Sequence, residues 1–167
     1  MLISKSDFAT YNRNISDSNF NSGNVLQHIQ DAEFMDVRPL LGSDFYFDLQ
    51  RNSATVENAA LLNGGDYTYG GETYTNVGLK SVIVHFAYAR YILTGANMDT
   101  PFGFVQKTNQ DSEGVPYEQK KSIYKMNQQI ASSYWENVKV FIERNITDYP
   151  LFDNHFTKQK FRISKIS

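Results

Sequence analysis

The side chains that could carry chemistry in this 167-residue chain are few and scattered. Its three histidines, His28, His85 and His155, lie in different predicted elements, and none has a histidine or an acid four residues later, as a helical metal site would. His85 lies in a nearly uncharged helical stretch, where a hydrogen-bonded core histidine is a commoner role than a metal ligand. The chain has no cysteine, which excludes disulfides, thiolate metal sites and a cysteine nucleophile.

Motifs of phosphate binding and hydrolysis are missing as well. The sequence has no GxGxxG, Walker, GxSxG or HExxH pattern. The pairs Gly64-Gly65 and Gly70-Gly71 lack the lysine and the helix that cradle phosphate, so we interpret them as a helix end and a turn. Dispersed acids do not form a catalytic pair by spacing alone; they include Asp44, Asp48, Glu57 and Asp66. We therefore expect no enzyme, no cofactor and no metal ion.

The composition is that of an ordinary folded chain. A net charge of −2 and a pI near 5.9 argue against a dedicated nucleic-acid binder, which usually carries a basic excess. Aromatic residues reach 14% and suit either one core or surfaces that become buried in an assembly. The N-terminal stretch MLISKSDFAT has no apolar signal region, and no segment is apolar enough to span a membrane. We expect a soluble protein made in cytoplasm.

A long amphipathic helix is predicted over residues 116–146, and the rest of the chain is arranged around it. Pro116 suits a first turn, while Glu118 and Arg144 match the polarity of the two helix ends. Apolar residues recur at steps of three and four and form one stripe, which consists of Ile123, Met126, Ile130, Tyr134, Val138 and Phe141 or Ile142. Such a helix must bury its stripe against other structure.

Three shorter helices are predicted before the hairpin. Their bounds are 24–37, 43–49 and 53–62. Pro39 is expected to end the first of them near Val37, because the residue before a proline is biased away from helix. The apolar pattern that predicts this first helix consists of Val25, Leu26, Ile29, Ala32 and Phe34 or Met35.

A tyrosine- and threonine-rich hairpin and a central helix follow. Residues 66–76, DYTYGGETYTN, have two short Tyr/Thr runs around Gly70-Gly71, a pattern typical of antiparallel strands joined by a tight turn. An isolated hairpin is marginally stable, so this one should lie on a helix or on a neighbouring chain. Residues 77–96 are almost uncharged in their middle, which predicts the central helix of a bundle.

Two segments have no evident partner within this bundle. Residues 98–114 form a long inter-helix loop, and loops of this length are more often binding or assembly elements than idle chain. Residues 151–167 form a tail in which Phe161 and Ile163 alternate with basic and polar residues. The expected fold class is mainly α, an antiparallel helical bundle with a small β-hairpin, a long inter-helix loop and an extended C-terminal tail. We predict one helical connector domain over residues 1–150 and the tail after it.

Two stretches and the order of the elements resemble a known family. LLNGGDYTYGGETYTNVGLKSVIVHFAYARYILTG (residues 61–95) and MDTPFGFVQKTNQDSEGVPYEQKKSIYKMNQQIASSYW (residues 98–135) are similar to ring proteins encoded beside the portal in crAss-like phages. The arrangement over residues 25–146 resembles the head-tail connector, or neck adaptor, proteins of tailed bacteriophages. This resemblance implies a non-enzymatic ring subunit, typically one of twelve copies, that docks on the portal, extends the DNA channel and carries the next ring or tail component.

We expect the bundle to lack the surface that would bury the hairpin, the 98–114 loop and the tail, so other subunits should cover all three. A closed ring offers each segment a neighbouring copy, by strand addition or by burial of an aromatic tip. The expected subunit or portal contacts are Tyr67, Tyr69, Tyr74, Phe102, Phe104, Phe156, Phe161, Arg162 and Ile163. Viral DNA would pass without sequence-specific binding, in agreement with the near-neutral charge. The expected location is the virion neck, with assembly in the host cytoplasm.

Two other functions stay open. A tail-completion or terminator protein would use the same assembly physics at another position in the virion. A small-ligand-binding or enzymatic helical domain could use the tyrosine-rich hairpin and His85 as a pocket. Size-exclusion chromatography with light scattering, with and without portal, separates an assembly subunit from an enzyme.

Overall fold

The computed structural model describes residues 1–16, 24–94, 97–100, 103–106 and 115–152, with backbone alone for residues 24, 97–100 and 103–106. Within these residues the predicted fold class is confirmed, since the chain is mainly helical with a small antiparallel hairpin. In chain order the elements are α1 (Lys5–Thr10), α2 (Asn24–Asp31), a π-helix (Ala32–Val37), α3 (Arg38–Leu41), α4 (Ser43–Arg51), α5 (Val56–Asn63), β1 (Gly65–Tyr69), β2 (Glu72–Asn76), α6 (Leu79–Thr94), β3 (Asn97–Thr100), β4 (Gly103–Gln106) and α7 (Tyr117–Arg144).

The antiparallel pair α6 and α7 forms the centre of the bundle. The enclosed side chains of α6 are Leu79, Ser81, Val82, Ile83, Val84, His85, Phe86, Ala87 and Ala89. His85 bonds to Asn127 near the middle of α7, and the N–H of Val77, just before α6, donates to Asn137 further along α7. The pairs run in opposite order along the two helices, which fixes their directions. The predicted central helix is confirmed.

Helix α7 confirms the predicted long helix but is rotated relative to the predicted stripe. Its buried side chains are Lys120, Asn127, Ala131, Trp135, Val138, Phe141 and Ile142. The predicted buried stripe is therefore confirmed from Val138 onward. Met126, which was predicted to belong to it, is 48% exposed. The polar side chain of Asn127 faces the core because His85 and Arg13 both bond to it there. A pattern based on hydrophobicity alone places such a residue on the wrong face.

The predicted hairpin is present, and it lies on α7. Strands β1 and β2 are antiparallel, with Tyr67 opposite Tyr74. The side chain of Asn137 fastens the end of β2 to the helix, because its Nδ2 donates to the carbonyl oxygen of Thr75 at 3.0 Å. Its Oδ1 accepts the N–H of Val77 at 2.9 Å. One side chain of α7 thus binds two backbone groups, one in β2 and one in the residue that follows the strand.

A close backbone contact between Gly64 and Gly78 closes the base of the hairpin. Both glycines have positive φ angles, +76° and +82°. A Cβ added to Gly64 would collide with the carbonyl oxygen of Asn76, and one added to Gly78 would lie 2.7 Å from the carbonyl carbon of Asn63. Glycine is required at both positions by the backbone conformation and by the lack of space.

The helix that starts at Asn24 does not end near Val37, so that prediction is wrong. Its turns widen into the π-helix and then continue as α3 to Leu41. Pro39 lies in the first turn of α3, where its missing N–H is tolerated. The proline marks a change of helix type here and not a helix end.

Glu33 of the π-helix is a buried carboxylate, 1% exposed, that ties three segments together. Its oxygens accept hydrogen bonds from the N–H of Leu2 at 2.6 Å, from the hydroxyl of Tyr46 at 3.0 Å and from Nε2 of Gln50 at 3.3 Å. Hydrogen bonds to a charged acceptor are stronger than neutral ones. Glu33 therefore holds the N-terminal residues and α4 on the π-helix.

The connection between α6 and α7 contains more regular structure than the predicted loop. Strands β3 and β4 pair antiparallel, with Asn97 opposite Gln106 and Thr100 opposite Gly103. Strands of four residues carry too few positions for an alternating pattern to stand out. Residues 107–114 of the predicted loop and the predicted tail from residue 153 onward lie outside the described residues.

Candidate assembly surfaces

Three tyrosines predicted at an interface converge on one arginine of the same chain. The Cζ atom of Arg144, in the last turn of α7, lies 3.8 Å from the ring centre of Tyr74 and 5.0 Å from that of Tyr69. It lies 6.0 Å from the ring centre of Tyr67, whose hydroxyl oxygen accepts a 3.0 Å hydrogen bond from Nη1. All three distances fall within the range of cation–π attraction. The hydrogen bond with Tyr67 is the largest cause of the raised pKa of Arg144.

This Arg144 cluster, formed by Arg144, Tyr67, Tyr69 and Tyr74, gives the hairpin a partner within its own chain. Tyr67 also packs edge-on against Phe141 of α7, with ring centres 4.9 Å apart. The expectation that the bundle lacks surface to cover the hairpin is therefore wrong for this face. Tyr69 and Tyr74 are still 49% and 36% exposed. Their contact with another subunit stays a prediction.

The other predicted contact residues are only partly placed. Phe104 lies in β4 with its backbone opposite Asp99. Phe102, Phe156, Phe161, Arg162 and Ile163 lie outside the described residues. Their assignment as subunit or portal contacts stays a prediction.

His85 is a buried core histidine, as predicted, and it belongs to a polar cluster. Its Nδ1 lies 3.0 Å from Oδ1 of Asn127, an atom that also accepts a 2.9 Å hydrogen bond from Nε of Arg13. An amide oxygen only accepts, so this bonding assigns the proton to Nδ1. Burial lowers the pKa of His85, the bond to Asn127 raises it in part, and the charge of Arg13 lowers it again. The imidazole is therefore neutral at neutral pH.

A groove of about 450 Å³ opens above this cluster, between Tyr11–Arg13 and α7, with His85 among its lining residues. We call it the His85 groove. The α7 wall carries Met126, Ile130 and Tyr134, three members of the predicted stripe. Among the described residues, no Asp or Glu side chain lines the groove, so none of them forms an acid–base pair with the His85 imidazole there. This side of α7, which we call its uncovered face, places Met126, Ile130 and Tyr134 beside the polar Gln129 and Ser133.

An aromatic patch on the π-helix was missed by the sequence reasoning. Phe34 and Met35 are 43% and 65% exposed, and Phe47 of α4, 39% exposed, lies with its ring centre 6.4 Å from that of Phe34. The guanidinium of Arg38 covers part of Phe34, 4.9 Å from the ring centre. Phe34 and Met35, which end the predicted apolar pattern, thus lie at the surface. A π-turn takes more residues than an α-turn, which changes the side that successive residues face.

A cleft of about 530 Å³ lies between α4, the start of α5 and the segment that follows α7. Three carboxylates line it, those of Asp48, Glu57 and Asp148. No basic side chain of the described residues forms a salt bridge with them. We call this the acidic cleft. Its three acids are far apart in the sequence, and the fold brings them together.

Tyr149 forms part of the apolar lining of the acidic cleft. Its hydroxyl donates a 2.7 Å hydrogen bond to the backbone carbonyl of Glu57. Burial is the main cause that raises the pKa of Tyr149, followed by the charges of Asp148 and Glu57. Pro150 and Leu151 continue this lining. The cleft therefore combines negative charge with apolar surface.

Across the described residues, no group of three or more His, Cys, Asp or Glu side chains is placed to hold a metal ion. No helix in the described ranges combines the length and the apolar character needed to cross a membrane.

Comparison with known families places the chain in a group of related proteins. The model of a family of unknown function, DUF6712, matches residues 37–162, more than half of the chain. The chain belongs to the DUF6712 family. The match begins at the end of the π-helix and contains both hairpins, α6 and α7, so the DUF6712 region includes the Arg144 cluster and the acidic cleft. No curated protein and no solved structure matches the chain.

Proposed function

We propose that this DUF6712 protein is a structural virion protein, a ring subunit of the head-tail connector of a tailed bacteriophage. The resemblance of residues 61–95 and 98–135 to connector ring proteins supports the proposal. The observation that carries it is the uncovered face of α7, where Met126 and Val140 are 48% and 39% exposed on the same side of the helix. A helix at the centre of a bundle that leaves large apolar side chains in solvent is suited to contact another chain.

The aromatic patch supplies a second surface of the same kind. A ring is built from heterologous contacts, in which one surface of each copy binds a different surface of the next. The uncovered face of α7 and the patch around Phe34 and Met35 share no residues, and they lie on different helices. We assign them to the two sides of the ring contact. The exposed edges of Tyr69 and Tyr74 would extend one of these sides.

The ring would hold twelve copies, as the resemblance implies. It would dock on the portal and extend the DNA channel to the next neck or tail component. Phe102 and Phe104 would contact an adjacent subunit or ring. A net charge of −2 suits a channel wall, because each phosphate contact would add salt-dependent affinity for the passing DNA. The subunit would act without catalysis, in the virion neck, after assembly in the host cytoplasm.

The test is assembly of the full-length chain with and without the portal protein of the same phage. Light scattering would give the mass of each species, and electron microscopy would show its symmetry. We expect a ring on the portal, even where the free subunit is monomeric. A chain that stays monomeric at every concentration and does not bind portal would contradict the proposal.

The His85 groove favours a second candidate, a small-ligand-binding domain. Its wall mixes the apolar Met126 and Ile130 with the polar Arg13 and His85, as ligand sites often do. Native mass spectrometry of the freshly purified chain tests this candidate. A bound small molecule that His85→Gln releases would support it, and a mass equal to the polypeptide alone would count against it.

A further inference from the structure

The acidic cleft and the C-terminal segment have opposite charges. Residues 153–167 hold four basic side chains, Lys158, Lys160, Arg162 and Lys165, and one acid, Asp153, in a chain with 16 basic and 18 acidic residues overall. The cleft presents Asp48, Glu57 and Asp148 without salt-bridge partners among the described residues. Complementary charges of this kind select a partner and speed its association.

The apolar residues of the two elements also correspond. The C-terminal segment alternates Phe161 and Ile163 with basic and polar residues, as an extended chain does when one face is buried. The cleft offers Tyr149, Pro150 and Leu151 between its acids. An extended peptide bound there would place its basic side chains at the carboxylates. Its apolar side chains would lie on the Tyr149 side chain and on Pro150 and Leu151.

Phe152, the last described residue, fixes the point at which the C-terminal segment begins. It is buried, with its ring centre 6.1 Å from that of Phe45 and 6.4 Å from that of Trp135. The segment therefore begins beside the cleft of its own subunit. An extended chain spans about 3.3 Å per residue, so residues 153–166 could span about 45 Å, which would allow contact with a neighbouring subunit.

We propose that the acidic cleft binds the basic C-terminal segment, residues 156–166, of a second copy of this chain. This inference rests on the proposed ring, because the ring supplies the second copy at close range. Each subunit would then give one segment and receive one. Such an exchange links neighbours through contacts that add to those of the helical surfaces.

The test uses the full-length chain with the photoreactive residue p-benzoylphenylalanine in place of Phe161. This variant, labelled with ¹⁵N, is mixed with a large excess of unlabelled wild-type chain, so that its neighbours in an assembly are unlabelled. The mixture is then assembled with portal, irradiated and digested. Mass spectrometry then gives the position of each cross-link and the isotope of each partner peptide. We expect cross-links to unlabelled peptides that contain residues 45–58 or 147–151. Cross-links to the cleft of the same ¹⁵N chain, cross-links elsewhere, or none at all would overturn the inference.

A charge-neutral variant tests the electrostatic part. Asp48→Asn, Glu57→Gln and Asp148→Asn together should lower the cleft cross-link yield about fivefold or more, since charge pairs at an interface contribute to affinity. The matched control, Glu72→Gln, Glu118→Gln and Glu136→Gln, removes the same charge outside the cleft and should leave the yield unchanged. Equal yields from the two variants would contradict the proposal. Circular dichroism checks that both fold, and loss of cleft cross-links at high salt is a second readout on the wild-type sequence.

Assembly mass separates this inference from the proposed function. Rings that form on portal while the cross-links lie outside the cleft would leave the connector proposal standing and overturn the exchange of segments. Cleft cross-links between copies in particles that are not rings would support the exchange and count against the connector.

Discussion

The guanidinium carbon of Arg144 lies 3.8 Å from the ring centre of Tyr74, although the two residues are 70 positions apart in the sequence. The contact joins the last turn of α7 to β2, and the Asn137 bonds join the same two elements nearer the middle of the helix. The hairpin is thus held at two points along α7. Each point can be tested separately.

Arg144→Gln should loosen the hairpin without unfolding the bundle. Glutamine lacks the charge that the tyrosine rings attract and cannot reproduce the bond to Tyr67 in the same geometry. Hydrogen exchange of the amides in β1 and β2 should become faster, while that of α6 stays unchanged. Arg51→Gln, an exposed arginine on α4, is the control and should change neither. Unaltered exchange in the hairpin of the Arg144 variant would show that the cluster does not stabilise it.

Gly78→Ala should destabilise the fold far more than Gly71→Ala. Both glycines have positive φ, but a Cβ at Gly71 meets open space, whereas one at Gly78 meets the backbone of Asn63 at 2.7 Å. We expect a loss of about 1 kcal/mol in the free energy of unfolding for Gly71→Ala. We expect more than about 3 kcal/mol for Gly78→Ala, because backbone must move. Urea denaturation measures both, and equal losses would contradict the close contact.

The ion pair of Asp36 and Arg90 should couple the π-helix to α6. Oδ2 lies 2.9 Å from Nε and Oδ1 lies 3.0 Å from Nη2, and both side chains are largely shielded from solvent. A double-mutant cycle with Asp36→Asn and Arg90→Gln should give a coupling energy of about 1 kcal/mol, above that of most exposed pairs. The control is the pair of Lys139 and Glu143, whose charged atoms lie 3.9 Å apart and whose glutamate side chain is 38% exposed; this longer contact should give a smaller coupling energy. Equal coupling energies would contradict the expectation.

Stability should fall as the pH drops below about 6.5, the ordinary pKa of histidine in an unfolded chain. Burial is the largest cause that lowers the pKa of both His85 and His28 in the folded state. The unfolded chain then binds protons that the folded chain does not, so the contribution is complete above that pH and is lost towards acid. Urea denaturation from pH 5 to 8 should show this slope, and His85→Gln should reduce it. A slope unchanged in the variant would exclude His85 as its source.

Met126→Lys should prevent assembly while the subunit stays folded. The side chain is 48% exposed on the uncovered face of α7, so its replacement should change the free energy of unfolding by no more than about 0.5 kcal/mol. A charge buried at an apolar contact is costly, and the variant should therefore fail to form rings on portal. Ser132→Lys, exposed on a different face of α7, is the control. Rings formed equally well by both variants would remove Met126 from the interface.

Periodicity predicted the elements whose pattern is long or strongly marked. The helices α6 and α7 and the hairpin were found because an uncharged run, a repeat over many turns and a pair of glycines between Tyr/Thr runs are all local signals. The rotation of α7 was not predicted, since it depends on Asn127 meeting His85 and Arg13. The π-helix was not predicted either, because the assumed period was that of an α-helix.

The candidate surfaces were predicted only as far as single residues allow. The hairpin tyrosines were predicted as subunit or portal contacts, which stays a prediction. Their partner Arg144 is distant in sequence, and only the fold brings it near. The acids Asp48, Glu57 and Asp148 come from three separate segments, and spacing cannot show that they share a cleft. Long-range neighbours of this kind follow from tertiary packing.

The carboxamide of Asn137 seals one border of the small sheet. Its two hydrogen bonds occupy the carbonyl of Thr75 and the N–H of Val77, the backbone groups that a third strand beside β2 would need. The border along β1 is the side left for an incoming strand. An assembly that extended this sheet would therefore add its strand on the β1 side of each copy. The order of subunits would then have a single direction.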